Sequence, residues 1–186
     1  MSTRALPLRH KFDVDAYYRM AEAGVLQPGE RIELIDGEII QMAPIGSRHA
    51  DTTNRLMQLL VRSLDAATVY VACQTPLRLD AHNEPQPDLM LLRPRAAGYA
   101  SSHPTPAEAF LVIEVAESSL SFDRTTKAAL YATFGVRELW IIDPNTHSIE
   151  LCRDPKGSEY LSRSIQSSGT LSPVEGVSID VENLFT

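Results

Sequence analysis

The chain has 186 residues, 44% of them hydrophobic and 22% charged, and a formal net charge of −7. Length and composition predict one ordinary globular domain with a sizeable core, while the acidic balance argues against binding nucleic acid by bulk electrostatics. A local basic groove, or an acidic site whose charge a divalent cation cancels, stays compatible with it.

Two cysteines, Cys73 and Cys152, are too few for a disulfide framework or a zinc cluster and read as reduced thiols. No apolar run reaches the ~18 residues that a membrane span requires. Met1 to Lys11 has basic residues but no apolar signal-peptide stretch, so it reads as a flexible arm and a cytoplasmic location is the default expectation.

From residue 12 onward the pattern is that of a single domain. Asp13 to Gly24 predicts a short helix, with Asp13 as N-cap and Gly24 as its stop. Apolar runs on either side of Asp36-Gly37 predict a hairpin over Glu30–Met42, which puts Glu33 on a strand. His49 to Leu64 repeats apolar residues at helical spacing, with His49 at its beginning. Strands are expected at Thr68–Cys73, Pro76–Leu79 and Leu89–Leu92, followed by a long surface loop from Arg93 to Pro106. Ala109 to Val115 is apolar except for Glu114 and predicts a central strand buried on both faces.

A helix capped within Ser118–Ser121 and ended by Gly135 comes next, then a strand from Glu138 to Asp143. Ser148–Arg153 and Glu159–Ser164 flank Pro155-Lys156-Gly157 as a hairpin. A short strand near Leu171 and a helical turn at Val181–Phe185 close the chain. The order of elements predicts an α/β or α+β fold with a mixed central sheet between helices.

Asp88 heads one apolar strand and Glu114 interrupts another. An ionised carboxylate in apolar surroundings costs several kcal/mol unless it is paired or binds a metal. If consecutive strands are neighbours, the two acids converge at one end of the sheet, and hard oxygen ligands there select Mg²⁺ or Mn²⁺. The backbone carbonyl of Val115 is a further candidate ligand. Asp123, Lys127 and Tyr131, spaced by four, form a helical stripe. From it Lys127 would acidify a metal-bound water or stabilise a pentavalent phosphate. The bland alternatives are a strand-entry cap for Asp88, a surface ion pair between Asp123 and Lys127, and a core position for Tyr131. Arg93, Arg95, Arg124 and Arg137 are too scattered in sequence to define a groove.

The order of Pro87-Asp88, Glu114-Val115 and a following helix with Asp123 and Lys127 resembles the PD-(D/E)XK nuclease superfamily. The finer pattern resembles the Uma-two family of restriction-endonuclease-like proteins. It runs through Glu33-Leu34-Ile35-Asp36-Gly37-Glu38, His49, Gln86-Pro87-Asp88, Glu114-Val115 with Ser118, Asp123, Lys127, Tyr131, Gly135, Glu138-Leu139-Trp140 and Asp143-Pro144. The likeness extends from about residue 12 to the C-terminus.

The resemblance implies a restriction-endonuclease-like core, Mg²⁺-dependent hydrolysis of DNA phosphodiesters, homodimerisation, and Asp88 and Glu114 as metal ligands. It makes Glu33 a third acid; beside it, His49 is a candidate for phosphate contact or proton transfer, Gln74 for a strand-edge place near the site, and Ser118, Asp123 and Tyr131 for supporting positions. One departure stands out. The superfamily carries a lysine two residues after the second acid, where this chain has Ala116. Lys127, on the next helix, is the candidate replacement. The alternatives are a non-cleaving binding module on the same fold, or hydrolysis of RNA or another phosphate ester.

Overall fold

The protein was analysed as a computed structural model, which describes residues 9–175 and 177–185. Most of the expected N-terminal arm lies outside the described residues. Helix α1 (Val14–Glu22) begins where Asp13 accepts a hydrogen bond from the Ala16 N–H at 2.7 Å, the N-cap read from the sequence. Strands β1 (Ile32–Ile35) and β2 (Glu38–Gln41) pair antiparallel. Asp36 and Gly37 hold positive φ between them, as a two-residue hairpin turn requires. Helix α2 (Ser47–Ser63) follows.

Among the described residues six strands form the central sheet, in the order β3 (Tyr70–Cys73), β4 (Leu89–Leu92), β5 (Ala109–Val115), β6 (Glu138–Asp143), β7 (Ser148–Lys156) and β8 (Glu159–Gln166). All neighbours run antiparallel except β5 and β6, which are parallel and joined by a helical crossover. The crossover consists of a short turn α3 (Leu120–Phe122), a π-helical turn over Asp123–Lys127, and α4 (Ala128–Thr133). It stops at Gly135, whose φ of 74° is the left-handed conformation glycine adopts at low cost, with the Val136 N–H bonded back to the Tyr131 carbonyl. Short strands β9 (Thr170–Leu171) and β10 (Ile179–Asp180) pair beside α5 (Glu182–Phe185).

The sheet is thus mixed and flanked by helices, the restriction-endonuclease-like arrangement expected. One expected strand is absent. Pro76–Leu79 does not join a sheet, because the N–H groups of Leu77 and Leu79 bond instead to the carbonyls of Pro85 and Asn83 in a local fold-back, and Pro76 has none to give.

Alternation along β5 divides the core. Leu111, Ile113 and Val115 pack on α2 (Leu56, Leu60) and the C-terminal elements. Val112 and Ala116 face the crossover through Ala128, Tyr131 and Ala132. Glu114 has the parity of Val112 and Ala116, so it too faces the crossover helix. Among the described residues no helix is long and apolar enough to cross a membrane.

Ile113 sits with no solvent exposure at the centre of this sheet. Ile113→Ala is expected to cost about 2–5 kcal/mol in urea unfolding. A loss below about 1 kcal/mol would show that β5 is not the packing centre.

Candidate active site

Leu89 pairs with Ile113 across β4 and β5, so one further step places Asp88 beside Glu114 where the two strands meet the crossover. The Val115 N–H donates to Asp88 Oδ2 at 2.8 Å, and His49 Nε2 lies 3.1 Å from the same oxygen. A carboxylate can only accept, so the proton of that contact is on Nε2. Both partners hold Oδ2, which leaves Oδ1 of Asp88 without a hydrogen bond among the described residues.

Lys127 is 1% exposed, and its ammonium donates to Glu114 Oε1 and to Glu33 Oε1, each at 3.0 Å. Tyr131 Oη donates to Glu114 Oε1 at 2.6 Å. The hairpin supplies Glu33, the central sheet supplies Asp88 and Glu114, and the crossover supplies Asp123, Lys127 and Tyr131.

Residues four apart in an α-helix drift by about 40° around its axis. The π turn, closed by the Ala128 N–H on the Asp123 carbonyl, widens the coil where Asp123 and Lys127 enter the core. Both are buried. The pairing read from sequence spacing therefore exists as a shared inward face rather than as a solvated surface pair.

Charge here is out of balance. Asp88, Glu114, Glu33 and Asp123 are all buried and line one cavity with Lys127, which among the described residues is the one buried lysine or arginine there. Burial pushes the Glu114 carboxyl well above the usual carboxylate range; Lys127 opposes this, and Asp123, Asp88 and Glu33 reinforce it. Burial likewise raises Asp123, against Lys127 and the Ser119 hydroxyl that donates to its Oδ2. For Lys127 burial disfavours the charged form, but Glu114, Glu33 and Asp123 outweigh it and keep the amine protonated. Burial, with Glu114 next, keeps the Tyr131 phenol protonated as a donor.

The acids and Lys127 line a cavity of about 40 Å³, room for a cation or a water or two and not for a nucleotide. Three buried polar atoms of its lining lack partners among the described residues: Glu33 Oε2, Asp123 Oδ1 and His49 Nδ1. Among the described residues no group of three His, Cys, Asp or Glu residues converges to hold a metal ion by itself. The set nevertheless fits a hard cation of the Mg²⁺ type, which is held by one or two carboxylates and keeps its waters. It offers four carboxyl groups against one buried ammonium, and unpartnered carboxylate oxygens beside the His49 ring. A larger pocket of about 830 Å³ at the opposite end of the sheet is lined by Leu64, Phe110 and Val174 and by four acids and two arginines, none of them buried.

Of the residues singled out in the sequence, Asp88, Glu114, Val115, Glu33, His49, Asp123 and Lys127 line this cavity, and Tyr131 stands behind Glu114. Ser118 reaches the rim, but the hydroxyl that bonds Asp123 belongs to Ser119. Gln74 adjoins Asp88 through its backbone, its N–H on the Asp88 carbonyl at 3.0 Å, while the residue itself is exposed and outside the lining. Glu117, Gly46 and Arg31 also line the cavity and were not anticipated. Glu117 was detectable, as an acid three residues beyond Glu114 where β5 gives way to the crossover.

A raised carboxyl binds its proton more tightly in the folded than in the unfolded chain, so its contribution favours folding at low pH and declines as pH rises from the ordinary carboxylate range toward the raised value. In EDTA, urea unfolding of the wild type is expected to lose up to about 1.4 kcal/mol per pH unit through that window relative to Glu114→Gln. Equal pH slopes for the two proteins would contradict the assignment.

Three comparisons complete this description. The family profile Uma2, described as "Putative restriction endonuclease", matches residues 14–183. Comparison with curated proteins finds no match. A solved structure, a "putative nuclease belonging to DUF820" from Anabaena variabilis, is similar over 94% of this chain and 97% of its own, with a TM-score of 0.71 and 12% identity. At that identity the likeness is one of fold.

Proposed function

The chain belongs to the Uma2 family of restriction-endonuclease-like proteins, and on that membership and the geometry of the acidic cavity we propose that it is a divalent-cation-dependent endonuclease hydrolysing DNA phosphodiesters. One observation carries the reading: a fully buried lysine bridges two buried acids beside a third, at the end of the sheet where the superfamily pattern that the sequence resembles calls for a lysine that β5 itself lacks. A structural ion pair would need one acid per lysine. The excess of acids is what a site for a cation and a phosphate requires.

Asp88, Glu114 and the Val115 carbonyl would hold Mg²⁺ or Mn²⁺. Bound there, the cation supplies charge neutralisation for the phosphate and lowers the pKa of water at the site. The remaining work falls to the protein. His49 and the Val115 N–H fix Asp88 through Oδ2 and leave Oδ1 free. Tyr131 and Lys127 both donate to Glu114 Oε1, which orients that carboxylate. Glu33 Oε2, buried and unpartnered, is suited to take the proton of the attacking water. The Lys127 ammonium, held protonated by the surrounding acids, stabilises the negative charge that grows on the phosphate oxygens in the transition state.

Plasmid cleavage tests the proposal. With Mg²⁺ or Mn²⁺ the wild type is expected to cut and EDTA to stop it. Asp88→Ala and Lys127→Met, folded by circular dichroism, are each expected to lose at least about 10²-fold in rate. Absence of cutting by folded wild type over a range of DNA substrates and metals would reject the nuclease reading.

A further inference from the structure

Helix α2 points its N-terminus at the cavity, and its own sequence provides no anion there. Its N-cap is Gly46, no side chain caps it, and no acidic residue stands in its first turn. The unsatisfied amides and dipole at the start of a long helix attract negative charge. In this structure that charge comes from a distant residue: the His49 N–H donates to Glu117 Oε2 at 3.2 Å, long for a charge-assisted bond. A Cβ on Gly46 would meet the same oxygen, so the carboxylate lies against the glycine backbone, and a larger residue there would push this flexible side chain aside.

A second observation is independent of this contact. The His49 side chain is nine-tenths buried in the same cavity, and its Nδ1 has no hydrogen-bond partner among the described residues. Arg31, in the cavity lining, bonds to the Ala43 carbonyl, and Arg48, in the first turn of α2, to the Asn145 side-chain oxygen, both neutral groups. Their charges have no carboxylate partner among the described residues. Glu117 itself is only half-buried, so its side chain has open solvent to move into.

We propose that the N-terminus of α2, with Gly46, Arg31 and Arg48, is a phosphate subsite beside the acidic cavity, and that the Glu117 carboxylate fills it until a phosphate displaces it. That the phosphate is one of nucleic acid, next to the scissile group, rests on the nuclease reading; that the subsite takes a tetrahedral oxyanion rests on the helix terminus and the two arginines. Glu117 then acts as a gate. It keeps α2 capped in the free protein and sets the affinity that an incoming phosphate must exceed.

Thermal unfolding with inorganic phosphate as the probe tests this apart from catalysis. Phosphate salts stabilise folded proteins in general, so the readout is the difference between proteins at equal phosphate. Glu117→Gln keeps an acceptor for the His49 N–H and removes the charge; Glu117→Ala empties the position. Phosphate is expected to raise the Tm of both variants by about 2–4 °C more than that of the wild type. A Tm loss in the variants that phosphate does not restore, or equal responses in all three proteins, would make Glu117 a helix cap and nothing else. A differential phosphate response without DNA cleavage would keep the subsite and reject the nuclease reading. Cleavage without a differential response would do the reverse.

Discussion

More carboxyl groups are buried where β4 and β5 meet the crossover than the one buried ammonium there can pair with. Four carboxylates surround one ammonium, and desolvation together with mutual repulsion leaves Glu114 with a raised proton affinity. A pair chosen for stability alone would be replaced without loss by apolar residues of similar volume. On the proposed function the arrangement is a site for added positive charge, with Lys127 as the part of that charge which is always present.

Several elements exist in the form they do because of this requirement. The register between β4 and β5 sets Asp88 beside Glu114, and alternation along β5 turns Glu114 toward the crossover. Ala116, the residue after β5, has a small side chain that packs into the cluster of Tyr131 and Ala132. The π turn then brings the lysine in from the helix. The β1–β2 hairpin lies outside the central sheet, yet it contributes the second acid that Lys127 bonds. Three separate pieces of chain therefore close around one amine.

Much of this was legible in the sequence for physical reasons. An acid inside a run such as Leu111–Val115 is costly enough to announce a partner, and turn residues such as Asp36-Gly37 and Gly135 mark element ends by backbone conformation alone. What stayed hidden depends on contacts distant in sequence. Spacing by four suggested that Asp123 and Lys127 share a face but could not show a π turn. The strand expected at Pro76–Leu79 had suitable apolar residues, but its amides found carbonyls in the following loop. Neighbouring serines cannot be distinguished by type, so the one that bonds Asp123, Ser119 rather than Ser118, emerged only from geometry. The approach of Glu117 to α2 joins residues 68 apart and leaves no local pattern.

The central claim is that the buried acids and Lys127 form one cation-dependent site, and anomalous diffraction from a crystal soaked in Mn²⁺ tests it most directly. The account predicts a peak bonded to Asp88, Glu114 and the Val115 carbonyl, with the Lys127 ammonium still within hydrogen-bond distance of Glu114. Empty density between these residues, or Lys127 extended into solvent, would contradict it.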